Sequence, residues 1–266
     1  MPKLGIIGGS GLYEVPGFIH LKEESISTPY GEPSARYIIA GPEDGAGPQV
    51  VFLPRHGAKH SIPPHKVNYR ANVWGMRSLG VERIVGVNAV GAIDPGFPTG
   101  SIVLPDQAID FTQGARESTF YDGQDVVHID FTDPYCPEMR EVIMRAAQAE
   151  GVFLVSTGAV YVCTNGPRLE SRAEIEFFRR AGGHIVGMTG MPEAALAREL
   201  QVCYAAVSVI TNFAAGVSAG KLTTTEVVET MAKSTAAVMT LLKKAFSLMP
   251  EQRSCPCKDA LSGTRL

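Results

Sequence analysis

At 266 residues, 45% of them hydrophobic, the chain can bury one large core, and a formal net charge of −3 leaves no basic footprint for nucleic acid or an anionic membrane. Its longest apolar stretches, such as Cys203–Ile210, fall far short of the roughly 20 residues that span a bilayer. Met1-Pro2-Lys3 runs straight into a strand pattern with no secretory h-region, so the expected compartment is the cytoplasm. No Ser/Pro-rich linker divides the chain, which predicts one domain over residues 1–250 and a polar C-terminal tail over 251–266.

Leu4-Gly5-Ile6-Ile7 reads as a short buried strand running into Gly8-Gly9-Ser10-Gly11. Glycine lets a backbone approach a ligand closely, and successive N–H groups with the Ser10 hydroxyl suit an anion. The match to GxGxxG is poor, and no acidic residue follows at the spacing that holds a ribose, so a dinucleotide site is not expected. Residues 13–49 read as an antiparallel section with a turn at Thr28–Pro33. The apolar run Val50–Leu53 then delivers Arg55 and His56 into a Gly-containing loop. Arg55 is planar and always charged, so beside His56 it makes a candidate oxyanion clamp. A helix is predicted over about 66–79, followed by a strand over 83–87 that opens onto a small-residue loop, Asn88-Ala89-Val90-Gly91-Ala92. Strand, basic loop, helix, strand and loop is the plan of an α/β site with ligand groups beyond the strand ends.

Residues 105–135 read as loop-rich and contain His128, taken alone a surface histidine. An amphipathic helix follows over about 138–150, then a strand over 158–164 that leads into Gly166-Pro167-Arg168-Leu169-Glu170. Ile185–Met188 ends at Thr189, whose hydroxyl and N–H make a second candidate anion contact. The nearly all-apolar run Cys203–Thr211 fits a buried parallel strand and ends at Asn212. A last helix is predicted over Thr224–Ser247, capped by the threonines at 223–225.

Five cysteines are too few for a disulfide scaffold. Cys136, Cys163 and Cys203 stand alone in apolar contexts and read as small core hydrophobes. Cys255-Pro256-Cys257 reads first as part of a frayed terminus, with a redox pair or an inter-tail staple as the chemical alternative. Nothing near it in sequence completes a four-ligand set, so no metal site is expected. No nucleophile elbow, paired hydrolytic carboxylates or H-E-x-x-H motif occurs. Polar residues recurring at strand ends therefore predict binding of an anion plus a small polar organic group.

On these residues the chain resembles the trimeric purine nucleoside phosphorylase superfamily, in its methylthioadenosine phosphorylase branch. Gly8-Gly9-Ser10-Gly11, Pro54-Arg55-His56-Gly57, His60-Ser61-Ile62, Val67–Asn72, Asn88-Ala89-Val90-Gly91, Ser118–Asp122, Gly166-Pro167-Arg168, Met188-Thr189 and Met191-Pro192-Glu193 carry the likeness. The resemblance implies a single α/β domain with a mixed, partly barrel-like central sheet flanked by helices. It implies a homotrimer that cleaves an N-glycosidic bond with inorganic phosphate as co-substrate and needs no metal or organic cofactor. Carried over, Ser10, Arg55, His56, Asn88, Ala89 (by its backbone) and Thr189 hold phosphate, and Met188 lies under the ribose. Asn212 and His56 are the catalytic pair, with Leu169, Phe213 and Ala214 beside the base. Phe120 or His128 of a neighbouring subunit closes the 5′ end.

The base side departs from adenine-specific relatives, which carry an Asp-x-Asp pair where this chain has Asn212-Phe213-Ala214. An amide at 212 can aim its NH₂ at O6 and N7 of a 6-oxopurine, which an ionised Asp cannot do. Glu170 is placed to accept from N1–H of such a base. Around Thr224 and Thr225 there is no His of the kind that 6-oxopurine phosphorylases use for a 5′-hydroxyl. Glu170, Asn212, Ala214, Thr224, Thr225 and His128 are thus the expected specificity set. The expected reaction is phosphorolysis of S-methyl-5′-thioinosine, with a broad inosine/guanosine phosphorylase or a methylthioadenosine phosphorylase as the alternatives. A non-catalytic nucleoside-binding protein on the same scaffold would bind without turnover.

Overall fold

One long strand carries the architecture. In the computed structural model, which describes residues 3–9, 12, 17–43, 45, 47–123, 125–156, 158–219 and 223–265, Val81–Ala92 forms a 12-residue strand, β5, that is buried along nearly its whole length. A strand covered on both faces has no reason to alternate, and from Ile84 on its sequence is Ile, Val, Gly and Ala broken only by Asn88. Around it lie β1 (Lys3–Gly8), β2 (Phe18–Glu24), β3 (Tyr37–Pro42), β4 (Val50–Pro54), β6 (Ile102–Val103), β7 (Gln107–Asp110), β8 (Leu154–Val155), β9 (Val160–Cys163), β10 (Ile185–Gly187) and β11 (Cys203–Phe213).

Together these make an 11-stranded mixed sheet with the main order β2-β3-β4-β1-β5-β10-β9-β7. β1 pairs in parallel with the first half of β5, β10 pairs antiparallel with Gly91 and Ala92, and β11 runs parallel along the other edge. β6 joins the outer edge of β11, and β8 joins β6. The antiparallel section expected before residue 50 is present as β2, β3 and β4.

Among the described residues five α-helices flank the sheet: α1 (Tyr69–Ser78), α2 (Pro137–Glu150), α3 (Arg172–Arg180), α4 (Gly190–Glu199) and α5 (Thr224–Ser247). Met139, Val142 and Ile143 of α2 join Met231, Val238, Leu241 and Leu242 of α5 in one core against Val85, Val87, Ala205 and Val207. Tyr69, Val73 and Met76 of α1 join Ala194, Leu196 and Ala197 of α4 on the opposite face, against Ile84, Val90, Tyr204 and Ala206. α1, α2 and α5 thus carry an apolar stripe at helical spacing and hide it on the sheet, whereas α4 is buried nearly all round. Local chemistry sets the helix starts: the Asn68 side chain accepts from Ala71 N–H, Ser171 and Glu174 form a reciprocal capping box, and Thr223 accepts from Glu226 N–H.

Three expectations are corrected. Asn88–Ala92 is not a loop beyond a strand but the second half of β5, because it pairs with both β11 and β10. Asn and Gly read as a break in sequence, yet the close packing here needs them: a Cβ on Gly91 would come within 3.2 Å of Asn212 Nδ2. The loop-rich reading of 105–135 missed β7, whose four half-buried residues carry little pattern. Finally, the C-terminal segment is not frayed throughout, since Cys255 and Cys257 are buried and belong to the same core as α2 and α5.

Candidate active site

The carboxyl ends of β1, β4, β5, β10 and β11 converge on one cavity of about 400 Å³. Gly9, Arg55, His56, Ala89, Leu169, Glu170, Met188, Thr189, Asn212 and Ala214 all contribute to its wall. Residues separated by up to 218 positions meet there because β1, β4, β5 and β11 are parallel and put their ends on one side of the sheet, and β10 comes back antiparallel beside the end of β5.

At the anion end, Arg55 follows β4 and is fully buried. Its Nε donates to Glu193 Oε1 at 2.5 Å, and its Nη2 donates to Glu193 Oε2 at 2.9 Å and to the Ile7 carbonyl at 3.3 Å. Nη1 donates to the Val87 carbonyl at 2.9 Å. A guanidinium has five N–H donors, so one remains for a ligand. The fork expected to clamp an oxyanion is therefore spent on Glu193, which leaves Arg55 its charge and a single N–H for any ligand. Burial opposes that charge, and the Glu193 carboxylate more than offsets it, so Arg55 holds its proton more tightly than a free arginine. Glu193 is itself fully buried and accepts a third hydrogen bond from Tyr204 Oη at 2.8 Å. The sequence displayed Glu193 only as part of a motif; its position opposite Arg55 exists only in the fold.

His56 is fixed by its Nδ1, 2.8 Å from the Ile62 carbonyl. A carbonyl only accepts, so Nδ1 carries the proton and a neutral His56 keeps its lone pair on Nε2. Burial, reinforced by the Arg55 charge, pushes the imidazole down to about 4. Gly9 closes the same end: a Cβ there would sit 2.7 Å from the Val87 carbonyl and 2.9 Å from Arg55 Nη1. Ser10 lies outside the described residues.

Thr189 lines the cavity, and its hydroxyl donates to Asn88 Oδ1 at 3.0 Å. Asn88 is fully buried and stands behind Thr189 instead of in the wall. The N–H of Thr189, expected as an anion donor, goes with that of Gly190 to Tyr161 Oη at 3.3 and 3.2 Å. A strand-end Thr in sequence cannot reveal that a buried tyrosine takes its amide.

At the base end a bulge in β11 between Ile210 and Asn212 turns the amide towards the cavity. Asn212 Nδ2 donates to the Phe213 carbonyl at 2.9 Å, and Oδ1 accepts from the Thr211 hydroxyl at 2.8 Å. Because the carbonyl can only accept, the amide orientation is determined, and the second N–H of Nδ2 is left for a ligand. Glu170 lines the same cavity and accepts from the Thr164 hydroxyl at 2.6 Å. Met188 shares the wall, and a Cβ on Gly166 would meet its sulfur at 2.5 Å. Val227, in the first turns of α5, also reaches the cavity. Phe213, Thr225, Phe120 and His128 do not line it; Thr225 and His128 are exposed, and the side chain of Thr224 lies outside the described residues.

A buried arginine–histidine anion end beside a cleft with directed amide and carboxylate groups is the type of site that nucleoside phosphorylases use. The Phosphorylase superfamily model matches residues 3–247, and the chain belongs to that family. Over 261 residues it is 54% identical to the probable S-methyl-5′-thioinosine phosphorylase of Thermodesulfovibrio yellowstonii, covering 97% of this chain and 96% of that one. It is 49% identical over 270 residues to the 6-oxopurine nucleoside phosphorylase of Pyrococcus furiosus, covering 99% of each. The methylthioadenosine phosphorylase of Schistosoma mansoni, solved in complex with adenine, superposes with a TM-score of 0.91 at 30% identity, covering 100% of this chain and 99% of that one.

Proposed function

We propose that the protein splits S-methyl-5′-thioinosine with inorganic phosphate, giving hypoxanthine and 5-methylthioribose 1-phosphate. The observation that carries this reading is the order of donor and acceptor at the base end. Asn212 has a free N–H donor, and Glu170 has a carboxylate acceptor, in one cavity. A 6-oxopurine shows the complementary order, accepting at O6 and N7 and donating at N1. Adenine inverts both, with a donor at its 6-amino group and an acceptor at N1. Each buried mismatch costs about 1–3 kcal/mol, so two decide the base. At the sugar, Val227 offers an apolar surface, which suits a methylthio group better than a hydroxyl.

In this reading the anion end holds phosphate with the charge and remaining N–H of Arg55, with His56, and with Thr189 braced by Asn88; Ser10 and the Ala89 backbone complete the set. A phosphate oxygen forms a bond to C1′ as the C1′–N9 bond breaks, and the bonding pair leaves with the base. Holding the two reactants in line supplies the proximity term, and the Asn212 N–H stabilises the charge developing on the purine at N7 and O6. His56 accepts at Nε2 from a protonated phosphate oxygen. The reaction runs without a metal or organic cofactor. Three copies assemble, so that Phe120 or His128 of a neighbour joins Val227 in covering the 5′ end. Among the described residues no helix is long and apolar enough to cross a membrane, and the reading places the enzyme in the cytoplasm.

Initial rates with methylthioinosine, methylthioadenosine and inosine, each with and without phosphate, test the reading. It expects the highest kcat/KM for methylthioinosine and no turnover without phosphate; methylthioadenosine as the best substrate would overturn it. A second reading, a 6-oxopurine nucleoside phosphorylase acting on inosine and guanosine, rests on the same Asn212 and Glu170, which read the base and not the 5′ substituent. Inosine as the best substrate would establish it. Light scattering of the purified chain checks the trimer.

A further inference from the structure

Four of the five cysteines meet, although they span positions 136 to 257. Cys136 precedes the first turn of α2, Cys203 opens β11, and Cys255 and Cys257 flank Pro256 at the start of a short 3-10 turn, Pro256–Asp259. All four are buried, and their Sγ atoms all lie within 4.8 Å of one another. Cys203 Sγ and Cys255 Sγ are 3.3 Å apart. None of the four lines the active-site cavity. Glu138 accepts from the N–H and the hydroxyl of Ser254, each at 2.7 Å, and Arg253 Nη1 donates to the Gln201 carbonyl at 2.7 Å. The segment is therefore held in place by bonds other than those of the thiols.

The charges around this cluster point to a ligand. Arg83 pairs with Cys203 in the register of β5 and β11, so both side chains fall on the same face of the sheet. Arg83 is fully buried, and it donates from Nη2 to Glu138 Oε1 at 3.2 Å. Among the described residues its Nε and Nη1 find no partner. A second guanidinium, that of Arg253, lies against Cys203 and Cys255. Buried guanidinium N–H groups without acceptors are costly, and neutral thiols or disulfides are weak acceptors. Arg83 and Arg253 also pair with Glu138 and Glu82, so what the cluster lacks is acceptors more than countercharge, and thiolates on a divalent cation are stronger acceptors for the spare guanidinium N–H groups than neutral thiols.

We propose that Cys136, Cys203, Cys255 and Cys257 form a tetrathiolate site for zinc that fastens the C-terminal segment to the core. Zinc takes four thiolates in a closed tetrahedron with Zn–S near 2.3 Å, so its sulfur–sulfur edges are about 3.8 Å, inside the span of this cluster. Binding exchanges four thiol protons for one zinc ion, with no oxidant or reductant involved. The site leaves no open position and is structural, and it stands or falls independently of the substrate.

Zinc content and thiol count of the full-length protein, purified without reductant from zinc-supplemented cells, test this together. The expected result is one zinc per chain and five thiols titrating after denaturation in chelator, matching the five cysteines. In the double variant Cys255→Ser, Cys257→Ser the zinc should fall to about a tenth of that or less. Five thiols without zinc would show a bare thiol cluster, a single thiol would show two disulfides, and zinc retained by the variant would place the ion elsewhere; each overturns the site. Should the variant not fold, wild-type protein stripped of metal and titrated anaerobically with cobalt(II) decides. Thiolate-to-cobalt charge-transfer absorption saturating at one equivalent supports the site, and its absence overturns it.

Discussion

The two ends of the cavity are built on opposite principles. At the anion end Arg55, Glu193 and Tyr204 are buried and interlocked, and Arg55 spends four of its N–H donors on the protein. At the base end Asn212 and Glu170 each rely on one or two neighbouring residues and keep ligand-facing valences free. A preorganised network keeps its charge in place without reorganisation, at the cost that every member is needed. A lightly held pair can change its hydrogen-bond polarity without disturbing the scaffold.

The largest effect should come from breaking the interlocked end. Arg55→Ala is expected to lower phosphorolysis by about 10²–10³ and to raise the KM for phosphate. It also leaves Glu193 as an unpaired buried carboxylate, a loss of about 3–5 kcal/mol in stability. Glu193→Ala leaves the guanidinium unpaired and should destabilise by a similar amount while phosphate can still bind. Denaturant unfolding with and without phosphate separates the two variants: phosphate should restore part of the stability of Glu193→Ala and none of that of Arg55→Ala. Equal rescue of both would show that Arg55 does not face the anion.

The same contrast explains what could be read from sequence. Strand ends were legible because apolar runs such as Val50–Leu53 and Cys203–Thr211 stop at polar residues, and parallel strands align those stops. Arg55, His56, Thr189 and Asn212 could be picked out on that basis, and Glu170 through the family resemblance; all five reach one cavity. What could not be read were the partners that a side chain acquires only in three dimensions. Glu193 lies 138 residues from Arg55, the Tyr161 hydroxyl takes the Thr189 amide, and Asn88 stands behind the wall it was expected to form. Cys255-Pro256-Cys257 had no visible ligand partners because Cys136 and Cys203 arrive from the start of a helix and the start of a strand. Sequence shows where functional groups are presented; it hides what holds them.

The lightly held end should yield to substitutions that reverse its polarity. Asn212→Asp with Ala214→Asp puts acceptors where the 6-amino group of adenine would lie, and the ratio of kcat/KM for methylthioadenosine over methylthioinosine should rise by about 10–100-fold. An unchanged ratio would mean that the base is read elsewhere. Glu170→Gln is milder, because an amide can still turn its oxygen towards N1. It should cost methylthioinosine about tenfold in kcat/KM, from loss of the charged acceptor, and leave methylthioadenosine nearly unaffected. Parallel loss with both substrates would make Glu170 a support for Thr164 and not a reader of the base.

The milder of the two stability effects comes from His56, which belongs to the interlocked end but titrates. Its imidazole is held down to about 4 by burial and by the Arg55 charge, against about 6.5 in the unfolded chain. Between those values the unfolded state binds the proton and the folded state does not, so folding stability must fall as pH falls through that window. The contribution is fully present above pH 6.5, declines towards pH 4, and changes no further below it; its size is about 3 kcal/mol. His56→Gln removes the group that must stay neutral, so in phosphate-free buffer its stability should decline less steeply over the same range than that of the parent. Phosphate should also flatten the parent's profile, since an anion beside the ring favours its protonated form and raises its pKa. Parallel profiles for parent and variant would place the acid sensitivity in other groups, and an unaltered parent profile at saturating phosphate would move the anion away from His56.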